Sequence, residues 1–417
     1  MTVFKKRNND AASSLGSITW NRFRKNRLAM LGLTIIALAV VVSVSGYSIT
    51  PDQSPYANEQ KPELLIKEPG FKVRMLLVNR KSAIEKRHFF SKMFFGQVSP
   101  YISYPISTYR FSGDSIIARE YSDAPTGGEE TIRFSIADVA CQIKPATNTT
   151  YNATDNSVEY TDNFTNTTVK KSVEELRKLI SEEHIITKHY LLGTDLLGRD
   201  LLSRLLIGTR ISLTVGLIAV IISIFIGIVL GALAGYFRGN VDACIMWFTN
   251  VVWSIPTILL VIAITLALGK GIGQVFVAVG LTMWVGVARQ VRGQIFSIRE
   301  KEFVEAGRAL GYSNGRIIFR HILPNVMGPV IISAAENFVA AILTEAGLSF
   351  LGLGTQPPMP SWGEMTSAHR GFILMDKAYL AFFPGLAIVV LVLAFMLVSN
   401  GLRDAMDTRA VDEKPIV

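Results

Sequence analysis

The sequence predicts an all-α polytopic membrane protein, with six transmembrane helices and an extracytoplasmic α+β insert between helices 1 and 2. Three observations predict it. Of the 417 residues, 49% are hydrophobic and 18% charged, and the apolar residues are gathered in blocks. Ile211–Phe237 and Ala243–Gly269 contain no charged residue, and each is about 27 residues long. Such a run crosses a hydrocarbon core of about 30 Å with some tilt. Finally, the basic residues behind the net charge of +9 flank the apolar runs rather than forming an aromatic-interleaved patch. That distribution fits a membrane protein and argues against a nucleic-acid partner.

Residues 1–27 form a basic segment, with Lys5, Lys6, Arg7, Arg22, Arg24, Lys25 and Arg27 set against Asp10. Short basic flanks stay in the cytoplasm, so the N-terminus is expected inside. Transmembrane helix 1 is expected at 28–49. Its apolar run exceeds the 7–15 residues of a signal-peptide core, and no A-x-A site comes after it, so it reads as a retained anchor.

Residues 50–186 are the insert. Phe71–Val78 and Thr131–Ile136 read as short strands, and Ser172–Ser181 as an amphipathic helix. The Thr/Asn-rich stretch 147–168 reads as a flexible loop. Its N-x-T sequons at Asn148, Asn152, Asn163 and Asn166 are glycan sites in a secreted eukaryotic setting, and only a polar exposed loop in a bacterial one.

The membrane core is expected at 187–405, with spans near 211–236, 243–269, 271–292, 325–352 and 378–402. Alternation from an inside N-terminus puts the loop 293–324 in the cytoplasm. Arg299, Lys301, Arg308, Arg316 and Arg320 on that loop agree with this side. The tail 406–417 is cytoplasmic too. Cys141 and Cys244 then lie on opposite sides of the bilayer, which excludes a bridge within one chain.

The loop predicts a helix, a glycine stop and a second helix that ends before Pro324. Gly311 suits a left-handed C′ position, and Ser313 suits the N-cap of the second helix. Such a surface fits a partner groove; an interfacial loop with snorkelling arginines is the plainer reading. Catalytic chemistry is not expected. Gly193 and Gly198 have phosphate-loop spacing, but Arg199 and Asp200 stand where lysine and a hydroxyl are required. Arg199, Arg204 and Arg210 oppose the positive-inside trend; Asp195 and Asp200 are expected to offset them, and an amphipathic helix on the outer interface would reconcile the segment with the trend. His88, His184, His189, His321 and His369 form no metal-ligand pattern, so no metal is expected.

Glu305-Ala306-Gly307, with Gly311 and then Ile322-Leu323-Pro324, resembles the EAA loop of permease subunits in ATP-binding-cassette (ABC) importers. Gly307 replaces the usual third alanine, and one extra residue precedes Gly311. Two further blocks, Leu192–Arg204 running on to Gly208–Leu213, and Glu345–Gly354 with Pro357–Gly363, resemble the C-type permease subunit of the oligopeptide/dipeptide/nickel family. The resemblance covers the chain ends and 187–405, and leaves most of the insert outside.

This resemblance implies a bacterial cell-membrane importer for peptides, in which the chain forms half of the translocation pathway. It implies a homologous second permease subunit, two ATP-binding subunits that hold ATP and Mg, and an extracytoplasmic substrate-binding protein. No cofactor is expected on this chain itself. The 303–324 loop would couple to the ATPases through Glu305, Ala306, Gly307, Gly311, Tyr312, Ser313, Arg316 and Pro324.

Within the spans, Glu336 and Glu345 are pathway candidates, because an unpaired carboxylate is costly in a bilayer. Nine residues apart, they face roughly opposite ways on a straight helix; one would line a path and the other meet a neighbour. Trp253 and Trp284 are weaker candidates, since aromatic residues in spans usually serve packing. Gly227, Gly231 and Gly235 predict close helix approach. A secondary transporter or channel is the alternative, though no inverted repeat is evident. A membrane sensor is the third reading, disfavoured because only about 15 residues follow Arg403.

Overall fold

The structure is a computed structural model that describes residues 15–82, 84, 87–122, 130–144, 150–152, 154–163, 166–269 and 271–406. Lys5, Lys6, Arg7, Asp10, Asn148 and the tail beyond Met406 lie outside the described residues.

The helices run α1 (Leu15–Lys25), α2 (Arg27–Ser45), α3 (Phe89–Phe95), α4 (Ile136–Ala140), α5 (Val173–Leu179), α6 (Leu201–Phe237) and α7 (Gly239–Ser254). Next come α8 (Thr257–Leu268), α9 (Ile272–Ile298), α10 (Glu302–Ala309), α11 (Asn314–Arg316), α12 (Leu323–Phe350), α13 (Trp362–Ala368) and α14 (Tyr379–Met406). Strands are β1 (Phe71–Asn79), β2 (Tyr101–Ser112), β3 (Ser115–Glu120), β4 (Thr131–Ser135), β5 (Thr150–Asn152), β6 (Ser157–Thr161), β7 (Thr168–Ser172) and β8 (Ile185–Tyr190). Two compact units result. A helical unit takes the chain up to Ser43, Thr209–Arg370 and the chain from Ala381; an α+β unit takes Val44–Gly208 and Gly371–Leu380.

Among the described residues, five helical stretches are long and apolar enough to cross a membrane: Arg27–Ser48, Leu201–Phe237, Ile272–Ile298, Asn314–Phe350 and Tyr379–Met406. The span expected at 243–269 is not one straight helix. It is the pair α7 and α8, bent by 93°, which makes a sixth crossing only if counted as one broken span. The cause is local. Pro256 carries no N–H, and Ile255 before it is pushed to an extended backbone (φ −87°, ψ 126°).

Glycines set the spacing in the helical unit. A Cβ on Gly227 would stand 2.5 Å from Val287 Cβ, one on Gly231 2.5 Å from the Ala288 carbonyl, and one on Gly235 2.9 Å from Ile295 Cβ. The expected small-residue seam therefore packs α6 on α9 within this chain. Gly32 likewise lets α2 approach the Ala394 carbonyl of α14. Between these contacts lies a core of Val287, Val291, Ile295, Val326 and Val330. Outward-facing side chains such as Phe225 (69% exposed) remain apolar, as a lipid-facing surface requires.

In the α+β unit, β4-β3-β2-β1-β8 form an antiparallel sheet. The alternation of Phe71–Asn79 puts Met75 inside one face with Leu64 and Tyr190, and Leu76 inside the other. On the Leu76 face lie α4 and α5, whose Ile136, Val139 and Leu176 are buried with Ile180, the residue just after α5. Ser172 caps α5 by accepting from the Glu174 N–H. The Thr/Asn-rich stretch is not the flexible loop expected. Its described residues include β5 and β6, which form an antiparallel sheet with β7 at its end, and β6 buries Val158 and Tyr160 in the same core. Threonine is a good strand residue, and alternate apolar positions supplied the buried face.

The amphipathic interfacial helix expected around 193–210 is also absent. Gly193 and Gly198 have positive φ (80° and 68°), and the segment is a compact turn closed by the Thr194–Asp200 bridge. From Leu201 the chain is already in α6, ten residues before the expected start of that span. Asp195, fully buried, binds Arg199 Nε at 2.7 Å and Arg204 Nε at 3.5 Å. Asp200 accepts from the Ser203 N–H at 2.9 Å. Arg199 and Arg204 thus share a buried carboxylate, while Arg210 Nε donates to the Ser43 carbonyl at 2.8 Å.

Candidate functional site

The elbow between α9 and α12 is built from short-range chemistry. α10 buries Val304 and Gly307 and leaves Glu305 and Ala306 exposed. Its end is a Schellman closure: the Gly311 N–H donates to the Arg308 carbonyl (2.9 Å) and the Tyr312 N–H to the Gly307 carbonyl (3.0 Å). Gly311 has φ +75°, the left-handed geometry expected of it. Ser313 then caps the next helix, its Oγ accepting from the Arg316 N–H at 3.4 Å.

The second helix does not end before Pro324. α11 passes through a π-turn, Ile317–Ile322, directly into α12, with Pro324 in the first turn of α12. Inside a continuous helix a proline ring clashes with the preceding turn, and the wider turn before Pro324 makes room for it. Asn314–Phe350 is therefore one helical stretch of 37 residues.

Buried side chains hold the elbow to the bundle. Val304, Ile317, Ile318 and Ile322 share a core with Tyr236, Val291 and Ile295. The Tyr236 hydroxyl donates to Asn314 Oδ1 at 2.8 Å, and its carbonyl accepts from Arg299. Tyr312 stacks on His321 (5.6 Å, 15°), and the Arg316 guanidinium lies 4.8 Å from the centre of the Tyr312 ring. Phe303, Leu310 (71% exposed) and Phe319 (70% exposed) project outward, interspersed with Glu302, Glu305, Arg308 and Arg320. The elbow thus pairs a buried apolar side with a mixed apolar and charged outer side. The nearby cations are largely committed: Arg292 to Asp242 (2.5 Å), Arg238 to Glu300 (2.7 Å), and Arg289 to Asn250 and the Trp253 ring (3.4 Å).

The two carboxylates in α12 have opposite surroundings, as their spacing predicts. Glu336 is exposed and pairs with Arg403 of α14. Glu345 is 2% exposed; its Oε1 accepts from Ser349 (2.9 Å), Ser361 (2.8 Å) and Thr355 (3.5 Å). Ser361 also caps α13, accepting from the Glu364 N–H, and Gly363 packs against Glu345 and Ala346. Glu345 is a hub that pins the 353–363 loop to α12. Trp284 is buried and stacked on Phe248 at 5.8 Å, a packing residue; Trp253 is exposed. His184, buried, contacts the Leu77 carbonyl through Nδ1, and His189 sits on β8 opposite Lys72.

Tyr236, Asn314 and Ser361 carry much of this geometry, and no local signal in the sequence assigns them these contacts. A tyrosine ending a span reads as an interfacial aromatic, and nothing local to Asn314 announces its partner 78 residues away.

Several apolar helices, a sharply bent helix pair and a helical elbow with an exposed outer side describe a multi-pass membrane protein. Residues 227–412 match the family described as "Binding-protein-dependent transport system inner membrane component", and residues 14–62 match the "N-terminal TM domain of oligopeptide transport permease C". The dipeptide transport system permease protein DppC of Alkalihalophilus pseudofirmus is 43% identical over 217 residues, covering 52% of this chain and 71% of that protein. The glutathione transport system permease protein GsiD of Pectobacterium atrosepticum is 43% identical over 218 residues, covering 52% and 72%. The oligopeptide transport system permease protein OppC of Bacillus subtilis is 36% identical over 231 residues, covering 55% and 75%. The chain belongs to the family of binding-protein-dependent inner-membrane transport components, the permease subunits of ABC importers. Residues 63–226 lie outside both family matches.

Proposed function

We propose that this chain forms half of the pathway of an importer for short peptides, and that ATP-binding subunits drive it through the 303–324 elbow. The names of its relatives (dipeptide, glutathione and oligopeptide permeases) support peptides as cargo. In this reading the chain holds no cofactor. ATP and Mg sit in two partner subunits, a homologous permease completes the pore, and a substrate-binding protein docks outside. Both chain termini and the elbow face the cytoplasm, as the basic flanks require.

The observation that carries the reading is the two-sided elbow. Val304 and Gly307 lock α10 to Ile317 and Tyr312, while Phe303, Glu305, Leu310 and Phe319 are presented to a partner. Apolar anchors rimmed by charges are what a protein groove recognises. A push on α10 passes to α11, through the π-turn, and along α12 to the Glu345 hub, so one rod links the elbow to the 353–363 loop. Rigid-body rocking of such a rod is a recognised route to alternating access. Glu336 and Arg403, exposed on this chain, are the charges we assign to the pathway or to the second permease.

The test is a Gly311→Pro variant, reconstituted with its partner subunits. It should insert normally and lose peptide uptake, with less ATP-binding subunit retained on co-purification. Normal uptake would sink the proposal.

A further inference from the structure

Helix α3 of the α+β unit reads Phe-Phe-Ser-Lys-Met-Phe-Phe, and it leaves Phe89, Phe90, Phe94 and Phe95 exposed, Phe90 at 71%. Four exposed phenyl rings on seven residues are unusual for a water-facing surface. Phe89 and Phe90 pack edge to face on each other, at 5.6 Å.

The position of this helix is set by the end of a membrane span. α3 packs on the turn Gly46–Ser48, and that turn is the last of the apolar stretch Arg27–Ser48. Just beyond it, the Gln97 N–H donates to the Gln53 carbonyl at 2.8 Å. At Gly96 (φ +69°) the chain passes so close that a Cβ would stand 2.8 Å from that same carbonyl. Arg87 closes the helix by donating to the Gly96 carbonyl at 3.1 Å. The aromatic helix is thereby fixed beside the turn that ends the apolar stretch Arg27–Ser48.

We propose that α3 is an interfacial membrane anchor, its phenyl rings inserted into the headgroup–acyl boundary of the bilayer beside the first span. The site continues a surface already committed to lipid. Its charge fits as well: Arg87, His88 and Lys92 lie on or beside α3, and Arg87–Ser112 contains no acidic residue. Aromatic rings with adjacent cations are the composition that lies in a phospholipid interface. Such an anchor would hold the α+β unit against the membrane and limit its tumbling about the chain segments that enter it.

The experiment uses the full chain in bilayer nanodiscs of phosphatidylethanolamine and phosphatidylglycerol. Cys244→Ser leaves only the buried Cys141. A nitroxide is then placed at Phe90→Cys, or at Phe95→Cys should the first variant fold poorly, with Thr154→Cys as a water-exposed control. Collision with dissolved oxygen and with a water-soluble nickel chelate is read by power saturation. At α3, oxygen collision should exceed nickel collision several-fold, with the order reversed at Thr154→Cys. Equal nickel access at both positions would overturn the proposal. Exclusion of both reagents at α3 would overturn it too, by showing that protein covers the helix.

Discussion

The hydroxyl of Tyr236, at the end of α6, donates to the side-chain carbonyl of Asn314, the first residue of α11, across 2.8 Å. One hydrogen bond therefore joins a span to the helix that leaves the elbow. Tyr236→Phe removes that bond and keeps the ring, at a cost of about 1 kcal/mol. The chain should still insert, while peptide taken up per ATP hydrolysed in proteoliposomes falls a few-fold. An unchanged ratio would show that the bond carries no drive.

Two glycines four residues apart should respond oppositely to alanine. At Gly311 the backbone is left-handed, and alanine there costs roughly 1–2 kcal/mol. At Gly307 a Cβ would meet only Tyr312 Cδ2, at an ordinary 3.5 Å, and Ile317 Cγ1 at 3.9 Å. Alanine should be tolerated there and gain up to about 1 kcal/mol of helix propensity. Uptake and thermal melting of Gly307→Ala should match or exceed wild type, and both should drop for Gly311→Ala.

Gly231 is the reverse of Gly307. Its Cβ would stand 2.5 Å from a backbone carbonyl of α9, which cannot rotate away. Gly231→Ala should cost about 1–3 kcal/mol despite alanine's better propensity, read as a lower melting temperature in detergent.

Asp195 is the anion between Arg199 and Arg204, all three nearly inaccessible to water. Asp195→Ala would remove the carboxylate that both buried guanidinium groups share and should cost about 3–5 kcal/mol. Limited proteolysis should then cut the turn 193–200 in the variant and leave it intact in the wild type.

Glu59 should make the α+β unit acid-sensitive. Burial alone would raise its carboxyl, but the charges of Lys188 and Lys61 and the Ser103 hydroxyl outweigh that and hold it at about 2, below its ordinary 4.5. The unfolded chain therefore takes up this proton first, so stability present above about pH 4.5 is lost as pH falls toward about 2. Asp200 acts in the opposite sense. Burial raises its carboxyl against the Ser203 hydrogen bonds, so its contribution improves as pH falls. Glu59→Gln should flatten the acid limb of melting temperature against pH while leaving the Asp200 component in place.

Much of the elbow was legible from residues alone because it is local chemistry. Gly311, Ser313 and the buried Val304 obey capping and burial rules that act over a few residues, and the spans follow from apolar length. The break at Pro256 was also written locally, in a proline and its predecessor, yet unbroken hydropathy across 243–269 masked it. The sheet β5-β6-β7 escaped for a different reason. Threonine- and asparagine-rich composition resembles a loop until Val158 and Tyr160 find a core formed by Ile136 and Leu176.

Residue order alone thus established that this chain crosses a membrane repeatedly, where its elbow bends, and which glycines lie between helices. Hydrophobic length, backbone φ and side-chain size are properties of short stretches, and they survive without knowledge of the fold. It took the folded chain to show that Glu345 is a buried hub and Glu336 an exposed ion pair, and that Tyr236 meets Asn314. A charge or a hydroxyl takes its partner from whatever distant segment packing brings within about 3 Å, and no local pattern encodes that segment.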